Sequence, residues 1–176
     1  MEKGRIHIIC GDGKGKTTAA IGQIIRALGA DYQVYFVQFM KHDDSSELKV
    51  LSKLDNVKII NLKNKYKFSF LLTNEEKLEM TKEQNSILNK LKLELSNLNK
   101  KTILVLDEVN SAIELELLDY KLLIDFITNK SDYLEIVLTG RNPKIELLNL
   151  ADYISKLEQV KHPYTTGLNA RKGIEY

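Results

Sequence analysis

Eight consecutive residues, Gly11-Asp12-Gly13-Lys14-Gly15-Lys16-Thr17-Thr18, combine the types that hold a phosphate chain. Alternating glycines let a backbone turn with its N–H groups pointing inward, and a helix starting just after them offers the positive end of its dipole. Lys16 supplies a mobile charge for phosphate oxygens, and the Thr17 hydroxyl is a hard oxygen donor suited to magnesium. The strict phosphate-loop spacing asks for a glycine five residues before Gly15. This chain has Cys10 there, so the match is a shifted variant that uses Gly11. A plain glycine turn is the bland alternative, and Gly-Lys-Thr-Thr between an apolar run and a helical one favours the cradle. Cys10 reads as a small buried residue, because the sequence sets no catalytic partner beside it.

Other candidates follow apolar runs further along. Ile103-Leu104-Val105-Leu106 ends in Asp107-Glu108, an acidic pair that can hold magnesium directly or through water. Many strands end in acids, so this pair gains meaning only in company with the glycine loop. Thr139-Gly140-Arg141 closes another run, and its arginine reads as a phosphate contact in preference to a surface ion pair. Arg26 is compatible with a solvated helix face. The three histidines form no metal-type pair, and His162, beside Pro163, reads as structural.

Such residues converge only if strands and helices alternate. Ile6–Cys10 is a short apolar run ended by the glycine turn, as expected of a buried strand. From Thr17 to Leu28 the period becomes helical, with Ile21, Ile24, Ile25 and Leu28 on one face and Gly29 as a stop. Val34 to Phe39, Val57 to Leu62, Ile103 to Leu106, Glu135 to Leu138 and Tyr153 to Leu157 read as further strands. Thr73 and Glu76 have capping-box spacing, and the helix they open presents Met80, Ile87, Leu88, Leu91, Leu95 and Leu98 as an apolar stripe toward the domain's own sheet. The expected fold class is α/β: an open, mainly parallel sheet of about six strands flanked by helices, with ligands at the carboxyl ends of the strands.

Composition bounds the rest. The 176 residues fit one domain over 1–176, large enough for a core without disulfides, and the single cysteine excludes an internal one. Lysine and arginine total 26 against 24 acids, too balanced for a nucleic-acid arm or a membrane-surface patch. No apolar run approaches the roughly 18 residues of a spanning helix, and Met1-Glu2-Lys3-Gly4-Arg5 is unlike a signal peptide, so a cytoplasmic domain is expected. At this level the residues specify a nucleoside triphosphate with magnesium, and kinases, NTPases and rarer transferases all share that requirement.

The wording of the segments goes further. Gly-Asp-Gly-Lys-Gly-Lys-Thr-Thr-Ala-Ala (11–20), Val-Gln-Phe-Met-Lys (37–41), Leu-Asp-Glu-Val-Asn (106–110), Leu-Thr-Gly-Arg-Asn-Pro (138–143) and Lys-His-Pro-Tyr…Ala-Arg-Lys-Gly-Ile-Glu-Tyr (161–176) occur in order. Together they resemble the CobA/CobO/BtuR family of ATP:corrinoid adenosyltransferases, from Gly4 to Tyr176. The resemblance implies a P-loop NTPase (RecA-like) fold with the fifth strand between the first and fourth. It implies transfer of the 5′-deoxyadenosyl group of ATP to the Co(I) of a reduced corrinoid such as cob(I)alamin, with triphosphate leaving. It implies ATP contacts at Gly11, Asp12, Gly13, Lys14, Gly15, Lys16, Thr17 and Thr18, with Arg26 and Arg141 on the phosphate side. Magnesium, with manganese as the alternative ion, would fall to Thr17 and Glu108, with Asp107 behind them. Lys16 and Glu108 are the expected catalytic pair, Glu108 serving the metal and not water. Phe68 and Phe70 match an aromatic pair that displaces the lower cobalt ligand. A homodimer and a flavoprotein reductant are further implications. Two departures stand out: the chain enters its first strand without the N-terminal extension of many members, and the loop after Lys41 is acidic and lacks the usual glycine. Closure over the substrate is therefore expected from the C-terminal segment, another subunit or the 63–74 loop.

Overall fold

The strand Thr102–Asp107 (β4) is buried at every position, which requires cover on both faces. In the computed structural model, which describes residues 3–40, 45–63 and 72–175, that cover comes from helices on either side of a six-stranded parallel sheet. Along the chain the elements are β1 (Ile6–Cys10), α1 (Lys16–Leu28), β2 (Gln33–Gln38), α2 (Leu48–Leu51), β3 (Val57–Ile60), α3 (Asn74–Glu94), β4, α4 (Val109–Glu114), α5 (Tyr120–Thr128), β5 (Leu134–Thr139), α6 (Ile145–Leu150) and β6 (Tyr153–Lys156). The order across the sheet is β3-β2-β4-β5-β1-β6. β5 thus lies between β1 and β4, as the family resemblance implies. Phe68, Phe70 and residues 41–44, with the acidic part of the loop after Lys41, lie outside the described residues.

Period-two alternation sorts the strands' side chains into two cores. Leu104 and Leu106 of β4 join Ile136, Leu138, Leu88, Leu91, Leu123 and Phe126 on the α3–α5 side. Ile103 and Val105 face the other way, with Ala20, Ile24 and Ala27 of α1 and Val34 and Phe36 of β2. Of the expected stripe, Met80, Leu88 and Leu91 of α3 and Leu95 at its C-cap are essentially inaccessible, whereas Leu98 lies beyond the helix, which ends at Glu94. Each such side chain contributes roughly 1.5–3 kcal/mol of burial free energy. Thr73 and Glu76 complete the capping box: the Glu76 N–H donates to Thr73 Oγ1 at 3.2 Å, and the Thr73 N–H donates to Glu76 Oε2 at 2.8 Å.

Register aligns the strand ends that carry chemistry. Gln38 pairs with Asp107 across β2 and β4, Ile9 pairs with Thr139 across β1 and β5, and Cys10 pairs with Lys156 across β1 and β6. The turns after β1, β4 and β5 therefore share one rim of the sheet. β6 is an edge strand with all four residues exposed. Beyond it, the chain runs through a 3₁₀ turn at Pro163–Thr166, where the Tyr164 N–H donates to His162 Nδ1 at 3.2 Å; this is the structural part expected of His162.

Candidate functional site

The glycine loop leaves β1 and turns directly into α1. Gly11 and Gly15 both adopt positive φ, 102° and 109°, which L side chains avoid. The loop is pinned from two sides: the Gly11 N–H donates to the Arg141 carbonyl at 3.1 Å and the Gly13 N–H to the Leu157 carbonyl at 2.8 Å. Close packing on the chain after β6 adds a second demand for glycine, since a Cβ on Gly11 would lie 2.3 Å from the Leu157 oxygen. The first turn of α1 then presents N–H groups that no intrahelical carbonyl can satisfy, the arrangement that receives an anion. Lys16 Nζ donates across the loop to the Gly13 carbonyl at 3.0 Å, so its charge is held over the cradle.

Two strand ends and the first turn of α1 meet at one carboxylate. Asp107, fully buried, accepts at Oδ1 from the Thr17 hydroxyl at 2.9 Å and from the Thr139 hydroxyl at 2.7 Å. Thr139 Oγ1 in turn accepts the Glu108 N–H at 2.9 Å. Glu108 sits in left-handed backbone, φ 61°, where the chain leaves β4 and enters α4. Its Oε2 accepts the Ser111 hydroxyl at 2.6 Å, which holds the carboxylate beside the rim. Thr17 Oγ1 gives its hydrogen to Asp107. A hydroxyl and two neighbouring carboxylates form a hard-oxygen set that fits magnesium, which takes one or two protein carboxylates and completes its shell with phosphate and water. No cage of three or more His, Cys, Asp or Glu residues lies among the described residues.

Arg141 is brought to the loop and pairs with Asp12 at 3.8 Å, with both side chains more than half exposed. Lys14 pairs with Glu175, near the end of the chain, at 3.3 Å. Glu175 is gripped by Arg171, whose backbone N–H donates to Oε2 at 2.8 Å and whose guanidinium reaches both carboxylate oxygens at 3.2 Å. The hydrogen bonds from Arg171 and the nearby Lys14 pull the Glu175 carboxyl down to about 2. Burial pushes the Cys10 thiol up, in keeping with a small core residue.

Arg26 is not brought to the loop. It lies ten residues along α1 from Lys16, about 15 Å at helical rise. It lines a cavity of ≈ 460 Å³ at the amino ends of the strands, with Lys3, Arg5, Lys101, Asp132 and Tyr153. The sequence motifs draw attention to Arg141 but give no sign of Thr139, Ser111 or Glu175 as supports of the site. The Thr139 signal was available in retrospect: a hydroxyl ending the strand next to the Asp107 strand.

Comparison with known proteins agrees with this geometry. The family model for "ATP:corrinoid adenosyltransferase BtuR/CobO/CobP" matches residues 2–176. A corrinoid adenosyltransferase of Sinorhizobium sp is 29% identical over 99% of this chain and 81% of its own length. The corrinoid adenosyltransferases of Escherichia coli K12 and Salmonella typhimurium are 28% and 29% identical over 99% of this chain and 87% of theirs. Among solved structures, EssC (ATPases 2 and 3) from Geobacillus thermodenitrificans superposes with a TM-score of 0.52 at 20% identity. It covers 98% of this chain and 36% of that one, a likeness of fold alone. A phosphate loop braced by strand-end carboxylates, on an ATPase-like sheet and with a whole-chain family match, places the protein: it belongs to the BtuR/CobO/CobP family of ATP:corrinoid adenosyltransferases.

Proposed function

We propose that the protein transfers the 5′-deoxyadenosyl group of ATP to the reduced cobalt of a corrinoid, with triphosphate as the leaving group. The observation that carries this reading is the convergence of Lys16, Thr17, Asp107 and Glu108 at the mouth of the glycine loop, in a chain of this family. In the proposed step the Co(I) electron pair attacks the ribose 5′-carbon, the C5′–O bond breaks, and its electrons leave with triphosphate. The barrier falls when negative charge growing on the departing oxygen is met by fixed positive groups. Lys16, the loop amides and Arg141 are those groups in this chain. Thr17 and Glu108, backed by Asp107, would hold magnesium, which supplies further charge neutralisation for the triphosphate. The Ser111 hydroxyl, donating to Oε2, fixes Glu108 for that task.

The same reading extends to the setting: a homodimer in the cytoplasm, supplied with electrons by a flavoprotein. No helix among the described residues is long and apolar enough to cross a membrane. Phe68 and Phe70 remain the proposed wedge against the corrinoid's lower face. The decisive assay supplies ATP, magnesium and chemically reduced cobalamin without oxygen. Formation of the cobalt–carbon bond together with triphosphate supports the proposal. ADP released without regard to corrinoid would instead indicate a kinase or NTPase, and tight binding without turnover a corrinoid-binding module.

A further inference from the structure

The chain after β6 starts and finishes on the phosphate loop. Its beginning is bound through Leu157, whose carbonyl accepts the Gly13 N–H at 2.8 Å and whose own N–H donates to the Cys10 carbonyl at 2.8 Å. Its end returns to the next residue of the loop, where Glu175 pairs with Lys14 at 3.3 Å. Between these points the segment is held by itself. The backbone bonds of residues 160–175 stay within the segment or reach Glu158: Val160 to Glu158, Thr165 to His162, Gly167 to Tyr164, Leu168 to Pro163, and Ile174 and Glu175 to Arg171. Among the described residues, and apart from the Val160 N–H bond to the adjacent Glu158 carbonyl, Lys14–Glu175 is the one hydrogen bond or ion pair that joins residues 159–175 to the rest of the chain. None of its side chains enters a core cluster, and Val160 and Tyr164 are 94% and 73% exposed. A segment so poor in burial occupies the low-stability end of the molecule, so a single tether decides whether it stays down.

That tether engages a cation of the nucleotide cradle. We propose that Glu175 is a built-in anionic competitor, a positioning residue that holds Lys14 until a polyphosphate takes it, so that phosphate binding and release of the 159–175 strap are one coupled event. The inference rests on the phosphate-loop reading above. The physical basis is a contest of charges: one carboxylate against a chain of phosphates that carries several negative charges to the same loop. The pair is a single contact of 3.3 Å, with the Lys14 side chain 47% exposed and that of Glu175 17%, and one such solvent-reached ion pair is weak enough to be exchanged. By linkage, whatever holds the strap down weakens phosphate binding, and the reverse holds equally.

The test uses the full-length protein with magnesium and inorganic tripolyphosphate as the probe. Calorimetry measures its affinity, and hydrogen–deuterium exchange follows the amides of residues 159–175. Saturating tripolyphosphate should speed exchange of the strap. Glu175→Gln should exchange fast without ligand and bind tripolyphosphate about two- to fivefold more tightly, a gain that simple loss of structure does not produce. Glu175→Asp should return most of the wild-type behaviour. Binding with an unchanged or better-protected strap, or a Gln variant that binds no more tightly, overturns the proposal and leaves the phosphate loop standing. Absence of tripolyphosphate binding to the wild type takes down both.

Discussion

Thr17 and Thr139 donate their hydroxyl hydrogens to the same oxygen, Oδ1 of Asp107, at 2.9 and 2.7 Å. One residue comes from the helix that follows β1 and the other from the end of β5, so a single buried carboxylate locks the two halves of the site in register. The lock also orients the Thr17 lone pairs and, through Thr139, the backbone of Glu108.

Asp107→Asn should therefore fold but lower adenosyl transfer about 10- to 100-fold, with a weaker apparent affinity for magnesium. Thr139→Val should lose about 1–3 kcal/mol of stability in urea, because the Glu108 N–H is left without its acceptor, and Thr139→Ser should restore it. Wild-type turnover and magnesium dependence in Asp107→Asn would remove the lock from the mechanism.

Lys16→Ala tests the leaving-group argument. Loss of a preorganised charge at the departing oxygen predicts a fall in the transfer rate of about 100- to 1,000-fold, with an unchanged circular dichroism spectrum. Near-normal single-turnover rates would contradict it.

The two left-handed glycines of the loop should differ in their tolerance of alanine. At Gly15 a Cβ meets only Leu157 Cδ2 at 3.4 Å, so the cost is backbone strain, about 1–3 kcal/mol. At Gly11 the same strain is joined by a 2.3 Å clash with the Leu157 carbonyl. Chemical denaturation should rank Gly11→Ala as clearly the less stable of the two; equal midpoints would show that the chain just after β6 yields easily.

Glu175 should titrate far below an ordinary glutamate. Its carboxyl is pulled from 4.5 to about 2 by the hydrogen bonds from Arg171, with Lys14 adding to the pull. A depressed folded value means that the stabilising contact is fully present above the ordinary value and is lost as pH falls from about 4.5 toward 2. Carbon-detected NMR of Glu175 should give a midpoint well under 4, and a midpoint near 4.5 would mean that the tail does not hold its place in solution.

Cys10 should resist alkylation in the folded protein at pH 8, since burial both raises its thiol and blocks access. Mass spectrometry after iodoacetamide treatment, with and without urea, checks this; rapid modification without urea would indicate that the end of β1 opens readily.

Much of this was legible in the residues, for identifiable reasons. The cradle announces itself because glycines, lysine and threonine must be adjacent in sequence to be adjacent in space. The start of α3 is equally local: Thr73 and Glu76 satisfy each other within one turn. α4 escaped notice because it is six residues long and begins at a left-handed Glu108 with no side-chain cap. Arg26 shows the limit of carrying a role over by motif, for a rigid helix sets it about 15 Å from Lys16 in the same chain. Glu175 was invisible for the opposite reason. It reaches Lys14 only because β6 pairs beside β1 and returns the chain to the loop, a meeting that no periodicity encodes.

The position of β1 between β5 and β6 has a consequence for a chain made from its amino end. β1 leaves the ribosome well before both its hydrogen-bonding neighbours, which begin after residue 133. At ordinary translation speeds it waits on the order of ten seconds with its apolar side chains unpaired. Until then the glycine loop has neither the Arg141 nor the Leu157 carbonyl to pin it. The glycine loop is made before the strands that shape it, so a chain stalled before β5 would expose Ile6, Ile8 and Cys10 to chaperones.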